Sequence, residues 1–328
     1  MASMTAVSVE SSDRGHYRSN GIDRCKYLRR LVESSELTFL MEAHDALSAA
    51  IAQRAGFKGL WASGLSIASA LGYRDANEAS WREVVDVVEH MADATDVPIL
   101  VDGDSGFGNF NNARLAALKL HQRGAAGICL EDKGFPKMNS FVGERHPLAD
   151  IVEFCGRLRA VKDTVPDADF VLVARIEALI AGHGQQEAVA RAHAYADAGA
   201  DAILIHSRKS IVEEILDFAR VWQNRLPLVI VPTKYHRTPV ATYREAGIAT
   251  VIWANHNMRA SVAAMRAVCG RILTEESVSG VEDEIASLDE VFGLLDYAEL
   301  ASAEEHYLPP ARVVAGGHQP TSGRSRQQ

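Results

Sequence analysis

The sequence predicts an α/β protein built as a closed (β/α)8 TIM-type barrel. Three observations carry that prediction. Eight short runs are apolar throughout and bounded by turn residues, as strands buried on both faces should be. Segments of helical periodicity alternate with them, the order that builds a parallel sheet. No GxGxxG follows the first strand, which weighs against a doubly wound open sheet.

The expected strands are LTFLM (37–41), KGLWA (58–62), VPILVD (97–102), AGICLE (126–131), DFVLVAR (169–175), DAILIH (201–206), LPLVIV (226–231) and ATVIWA (249–254). Between them, HDALSAAIAQRAG, NNARLAALKLHQRG and QQEAVARAHAYADAG read as helices stopped by Gly56, Gly124 and Gly199. A glycine just past the last periodic residue is the usual C-terminal signal. After the eighth strand, RASVAAMRAVCGRILTEES is Ala-rich and amphipathic, and helical sequence continues to about Tyr307. Residues 1–20 and 310–328 are polar and poor in large apolar side chains, so both are expected to be disordered tails. Residues 21–309 are expected to form one barrel domain with C-terminal helices.

Composition narrows the function. A chain of 328 residues with 47% hydrophobic content can bury a large core. A net charge of -9 lacks the basic footprint of a nucleic-acid binder. No apolar run is long enough to span a membrane, and the N-terminal stretch has no apolar leader core. The cysteines at 25, 129, 155 and 269 are far apart and show no CxxC or Cys/His metal spacing. A reducing, cytoplasmic setting is expected.

In such a barrel, chemistry gathers where strands end. Those positions supply Trp61, Ser63, Gly64 and Leu65 after strand two, and Asp102 and Asp104 in DGDSGFGN after strand three. Strand four gives Glu131, Asp132 and Lys133, strand five Arg175 and Glu177, strand six His206. Thr233 and Lys234 follow strand seven, Asn255, His256 and Asn257 strand eight. Asp102 and Asp104 alternate on an extended segment and so share one side. With Glu131 they make three carboxylates near one point, a cluster that needs a cation; hard oxygen donors suit Mg2+. The bland alternative is a Gly-rich turn with solvated acids. Arg175 can clamp an anion with Glu177 holding its guanidinium, or the two can be an internal ion pair. His206 reads equally as a core histidine, Trp61 as packing, Lys137 as a solvated loop lysine, Asp75 as a loop or N-cap residue, and Asn255 as a helix cap. Together the set fits a small, multiply anionic substrate.

The stretches WASGLS, DGDSGFGN, EDKGFPKMNS, VARIEALIAG, GADAILIHS and VIVPTK with VIWANH resemble the phosphoenolpyruvate mutases of the isocitrate lyase superfamily. The resemblance covers about residues 37–309. It implies a Mg2+-dependent isomerase that moves a phosphoryl group between oxygen and carbon, interconverting phosphoenolpyruvate and phosphonopyruvate for phosphonate biosynthesis. It also implies that Asp102 ligates Mg2+ directly, while Asp104 and Glu131 act through water. Ser63 and the amides of Gly64 and Leu65 then cradle carboxylate and enolate oxygens. Arg175, His206, Asn139 and Ser140 hold the phosphoryl group, and Asp75 lies close to the substrate. EDKGFPKMNS becomes a gating loop that brings Lys137, Asn139 and Ser140 over the site.

Relatives set the alternatives. Isocitrate-type lyases carry a catalytic cysteine in this loop, where PKMNS stands here. Phosphonopyruvate hydrolase shares most of the constellation, and Asn139-Ser140 favours the mutase over it. A catalytically idle binding barrel is the remaining reading, and no expected charged group is missing. By resemblance the protein is expected to be a homo-oligomer, a dimer of dimers exchanging the last barrel helix, and to work beside a phosphonopyruvate decarboxylase that draws product away.

Overall fold

The computed structural model describes residues 23–143 and 147–309; the tails expected to be disordered lie outside the described residues. α1 (Arg24–Val32) precedes the barrel, in which strands and helices alternate. The first half runs β1 (Thr38–Ala43), α2 (Ala46–Arg54), β2 (Gly59–Ala62), α3 (Gly64–Ala70), α4 (Trp81–Asp93), β3 (Ile99–Asp102), α5 (Phe110–Gln122), β4 (Gly127–Glu131) and α6 (Ile151–Thr164). The second runs β5 (Val171–Ile176), α7 (Gly184–Asp197), β6 (Ala202–Ile205), α8 (Glu213–Trp222), β7 (Leu228–Ile230), α9 (Val240–Glu245), β8 (Thr250–Trp253) and α10 (His256–Glu275). Every neighbouring pair of strands is parallel, and β8 closes on β1. The expected barrel is therefore present, with all eight strands in their expected places.

The differences are at the edges and have covalent causes. β3 starts at Ile99 and β7 at Leu228, each just after a proline. Pro98 and Pro227 have no amide hydrogen, so they enter the ladder only as acceptors, from Leu60 N–H (2.9 Å) and Ile203 N–H (3.0 Å). The glycines expected to stop α2, α5 and α7 have φ of +99°, +91° and +98°, the left-handed region that favours glycine. The Ser80–Glu83 pair begins α4 with a reciprocal capping box, a signal written in the sequence as S-x-x-E.

Side chains from all eight strands and the inner faces of the helices make one apolar core. α1 packs against β3 and β5 and contributes fully buried Leu28 and Val32. A leucine so placed is worth about 2 kcal/mol of burial. α10 differs from the helices before it: none of its 20 residues is buried, and Val262, Met265 and Leu273 are exposed. Among the described residues no helix is long and apolar enough to cross a membrane.

Residues 286–309 belong to a separate compact unit. It holds α11 (Leu288–Leu294) and α12 (Tyr297–Tyr307), with the Phe292 and Tyr297 rings 5.0 Å apart.

Candidate active site

The C-terminal ends of the strands bring together most of the residues singled out in the sequence. Trp61, Ser63, Leu65, Asp75, Asp102, Glu131, Lys137, Asn139, Ser140, Arg175 and His206 line one pocket. Gly64 and Asp104 do not line it, but each touches a residue that does, Asp102 and Lys137 respectively.

The two aspartates converge by a different route from the expected strand alternation. Asp102 ends β3, but Asp104 has φ +49°, so the chain turns rather than continuing extended. Gly103 allows the turn, because a Cβ there would lie 2.6 Å from the Ile128 side chain. Both carboxylates end up around Gly64, whose N–H donates to Asp102 Oδ2 at 3.3 Å. That N–H points at a carboxylate of the protein, whereas the resemblance assigned it to a ligand.

Two networks of charge flank the pocket. In the first, Lys137 Nζ lies 2.8 Å from Asp75 and 2.5 Å from Asp104. Asn139 Nδ2 donates to Asp75, and Asn77 bridges the loop to the strand-three turn, donating to Asp104 (2.8 Å) and accepting from Lys137 N–H (2.6 Å). Lys137 is only 5% exposed, so it is no solvated loop residue. Burial works against the Lys137 charge, but Asp104, Glu131, Asp75 and Asp102 hold its pKa well above the ordinary lysine value. Burial would raise Asp75, yet Lys137 and then Asn139 hold it below the usual carboxylate range. Asp104 is pushed up to about 7, by burial first and by Asp102 and Asp75 after the opposing pull of Lys137.

In the second, Glu177 is the hub. It accepts from Arg175 Nε (2.6 Å) and Ser140 Oγ (2.7 Å), and lies 2.7 Å from His206 Nδ1 and 3.1 Å from Lys133 Nζ. Although fully buried, its carboxyl lies well below the usual range because Arg175, His206 and Lys133 surround it. Arg175 Nη2 reaches Ser140 Oγ at 3.1 Å and lies 2.9 Å from His206. Glu177 thus holds the Arg175 guanidinium, a pairing common to the anion clamp and to an internal ion pair. Beneath it, Asp132 Oδ1 accepts the Glu177 N–H, and Asp132 Oδ2 accepts from Arg191 and Tyr195 OH.

The residues fit a hydrated divalent cation. Glu131 is 1% exposed, yet neither of its carboxylate oxygens has a hydrogen-bond donor; Arg175 Nε is 3.4 Å away and Lys133 Nζ 3.9 Å. Buried acceptors of this kind want water or metal. Asp102 is raised by burial and by Glu131 and Asp75, against the pull of Lys137 and Arg175. Hard oxygen donors of this kind suit Mg2+, which usually keeps several of its waters.

Sequence reasoning gave no role to Asn77 and Lys133. Asn77 stands two residues from Asp75 at φ +56°, a conformation asparagine tolerates; that D-x-N spacing was the available signal. Lys133 donates to Met138 O and Ser140 Oγ across the loop, a contact that needs the loop's path to be seen. Asn255 occupies the N-cap position of α10 but makes no capping bond, and it lines the pocket with Phe141 and Thr233.

Residues 28–273 match the family model described as phosphoenolpyruvate phosphomutase. The chain is 53% identical over 282 residues to the phosphoenolpyruvate phosphomutase of Tetrahymena pyriformis, covering 86% of this chain and 94% of that one. The crystal structure of the phosphomutase from Streptomyces platensis subsp. rosaceus superposes with a TM-score of 0.85 at 41% identity, covering 87% of this chain and 99% of that one. A phosphonopyruvate hydrolase solved with oxalate and Mg2+ gives a TM-score of 0.83 at 38% identity, covering 88% of this chain and 100% of the other. The chain belongs to the phosphoenolpyruvate phosphomutase family.

Proposed function

We propose that the pocket interconverts phosphoenolpyruvate and 3-phosphonopyruvate by moving the phosphoryl group within one substrate molecule. One observation carries the reading. Lys137, Asn139 and Ser140 of a single loop turn inward onto the same pocket as Arg175 and His206, facing Asp102 and Glu131. A trianionic substrate needs cationic and amide donors at one end and a divalent cation at the other.

The residues that would hold Mg2+ are Asp102 directly and Asp104 and Glu131 through water. When bound, the ion supplies positive charge beside the enolate oxygen. The P–O bond of phosphoenolpyruvate breaks and its electron pair stays on the pyruvate enolate. The C–P bond forms when C3 of that enolate attacks phosphorus. No net proton moves, so the reaction requires no general base. Arg175, His206, Asn139 and Ser140 grip the phosphoryl oxygens, so that the carbon meets a fixed target. Glu177 fixes Arg175 and His206 in turn. In this reading Ser63 and the Leu65 amide receive the carboxylate end, and Trp61 lines the same pocket. Asp75 orients Lys137 and Asn139. Closure of residues 134–141 excludes water, which would otherwise capture the phosphoryl group.

Phosphonopyruvate hydrolase activity is the second reading, because a hydrolase shares the fold and much of the sequence. Phosphorus NMR of purified protein with Mg2+ and phosphonopyruvate separates the two. Phosphoenolpyruvate is the expected product; inorganic phosphate with pyruvate would make the protein a hydrolase. Asp102→Ala should abolish turnover either way.

We also infer a homo-oligomer in which α10 packs on a second copy, since no residue of that helix is buried within its own chain. Coupling to a decarboxylase that consumes phosphonopyruvate follows from an equilibrium favouring the ester. The four cysteines are all free, which supports a reducing, cytoplasmic setting.

A further inference from the structure

The opposite end of the barrel holds a second donor cluster. Cys25 lies in the first turn of α1, His121 in the last turn of α5, and Asp167 in the connection from α6 to β5. One ligand atom from each lies within 4.8 Å of the others; among the described residues no other such group of histidine, cysteine and carboxylate ligands occurs. Cys25 Sγ is 3.8 Å from His121 Nδ1, the separation expected of two ligands on one tetrahedral ion with metal–ligand bonds of about 2.0–2.3 Å. The thiol is buried, while the imidazole and carboxylate are partly exposed. Asp167 and Phe170 also line a cavity of about 190 Å3, and the Phe170 ring packs edge-on against His121. The cluster therefore has an inner soft ligand, two outer ligands, and adjacent space for water.

We propose that Cys25, His121 and Asp167 form a zinc site on the N-terminal face of the barrel. The donor set separates it from the mouth. Sulfur and imidazole nitrogen suit a borderline ion such as Zn2+, whereas the all-oxygen set at the mouth suits Mg2+. A nucleophilic role for Cys25 fits less well. Burial and then the Asp167 carboxylate push its thiol up, away from the thiolate. A bound cation reverses that by taking the thiolate as ligand. The fourth position would face the cavity and carry water. Because the ligands come from three separate elements, the ion would tie α1 to α5 and to the approach of β5. It would bind the folded chain and not the unfolded one, and so stabilise the fold.

The test uses the full chain, stripped with chelator and saturated with Mg2+, with Co2+ as the spectroscopic probe. One equivalent per chain should give a near-ultraviolet thiolate-to-cobalt charge-transfer band. The band should persist in Asp102→Ala, which separates this site from the mouth, and in Cys269→Ser, which removes the exposed thiol. It should vanish in Cys25→Ser and in His121→Asn; the second substitution leaves the buried thiol in place should the first fail to fold. Zn2+ should also raise the Tm of the wild type and not of His121→Asn. No charge-transfer band in the wild type, a band that survives Cys25→Ser, or one lost in Cys269→Ser would overturn the proposal.

Discussion

His206 shows how one buried side chain sets a pH limit. Burial lowers its pKa below the free value of 6.5, with Glu177 opposing and Arg175 adding to the effect. As pH falls, the unfolded chain therefore takes up a proton at this position before the folded chain does. The contribution to stability is complete above the unfolded value and is lost between that value and the lowered folded one. Urea midpoints measured from about pH 7 down to about pH 5.5 should fall more steeply for the wild type than for His206→Gln; parallel curves would contradict it. Asn139 is the residue that bears on chemistry. Its amide is held by Asp75 and faces the pocket. Asn139→Ala should cut kcat about a hundredfold, the loss typical of one oriented donor. Oxalate affinity should change little, and an equal loss of both would remove Asn139 from its assigned place.

The loop from Lys133 to Phe141 is the element whose state matters most. Its polar side chains, Lys137 and Ser140, are buried, and Phe135 and Met138 face outward. The fastening comes from Lys133, fully buried at the loop base, which holds Met138 O, Ser140 Oγ and Glu177 together. Lys133→Met keeps the volume and removes these bonds. A charged hydrogen bond is worth about 1.5–3 kcal/mol. kcat/KM should therefore fall about ten- to a hundredfold, and protease cleavage within the loop should accelerate. Unchanged cleavage with unchanged kcat/KM would mean that closure does not depend on this lysine.

For the molecule as a whole, α10 carries the prediction. A barrel helix such as α5 buries Ala113, Ala116, Ala117 and Leu120, while α10 buries nothing. Its N-terminus is held, with Glu42 accepting from Met258 N–H (3.1 Å) and Asn257 donating to Glu42 O (2.9 Å). Light scattering of the wild type should report an oligomer. Met265→Glu, which places a charge on an exposed apolar position, should shift it toward smaller species. A monomeric wild type would remove the basis for helix exchange.

Short-range pattern carried the barrel. Apolar runs buried on both faces, helical spacing and terminal glycines are local signals, and strand ends in a barrel point to one face whatever the loops do. The positions of Asp102, Glu131, Arg175 and His206 were legible for that reason, and the motifs of EDKGFPKMNS added the loop residues. What sequence could not convey is contact between distant side chains. The turn at Asp104, the hub at Glu177 braced by Asp132, and the fastening by Lys133 all depend on the path of the backbone in three dimensions. The meeting of Cys25 with His121 and Asp167 is the clearest case. No ligand spacing marks it along the chain, because its three donors come from separate elements that only the folded chain brings side by side.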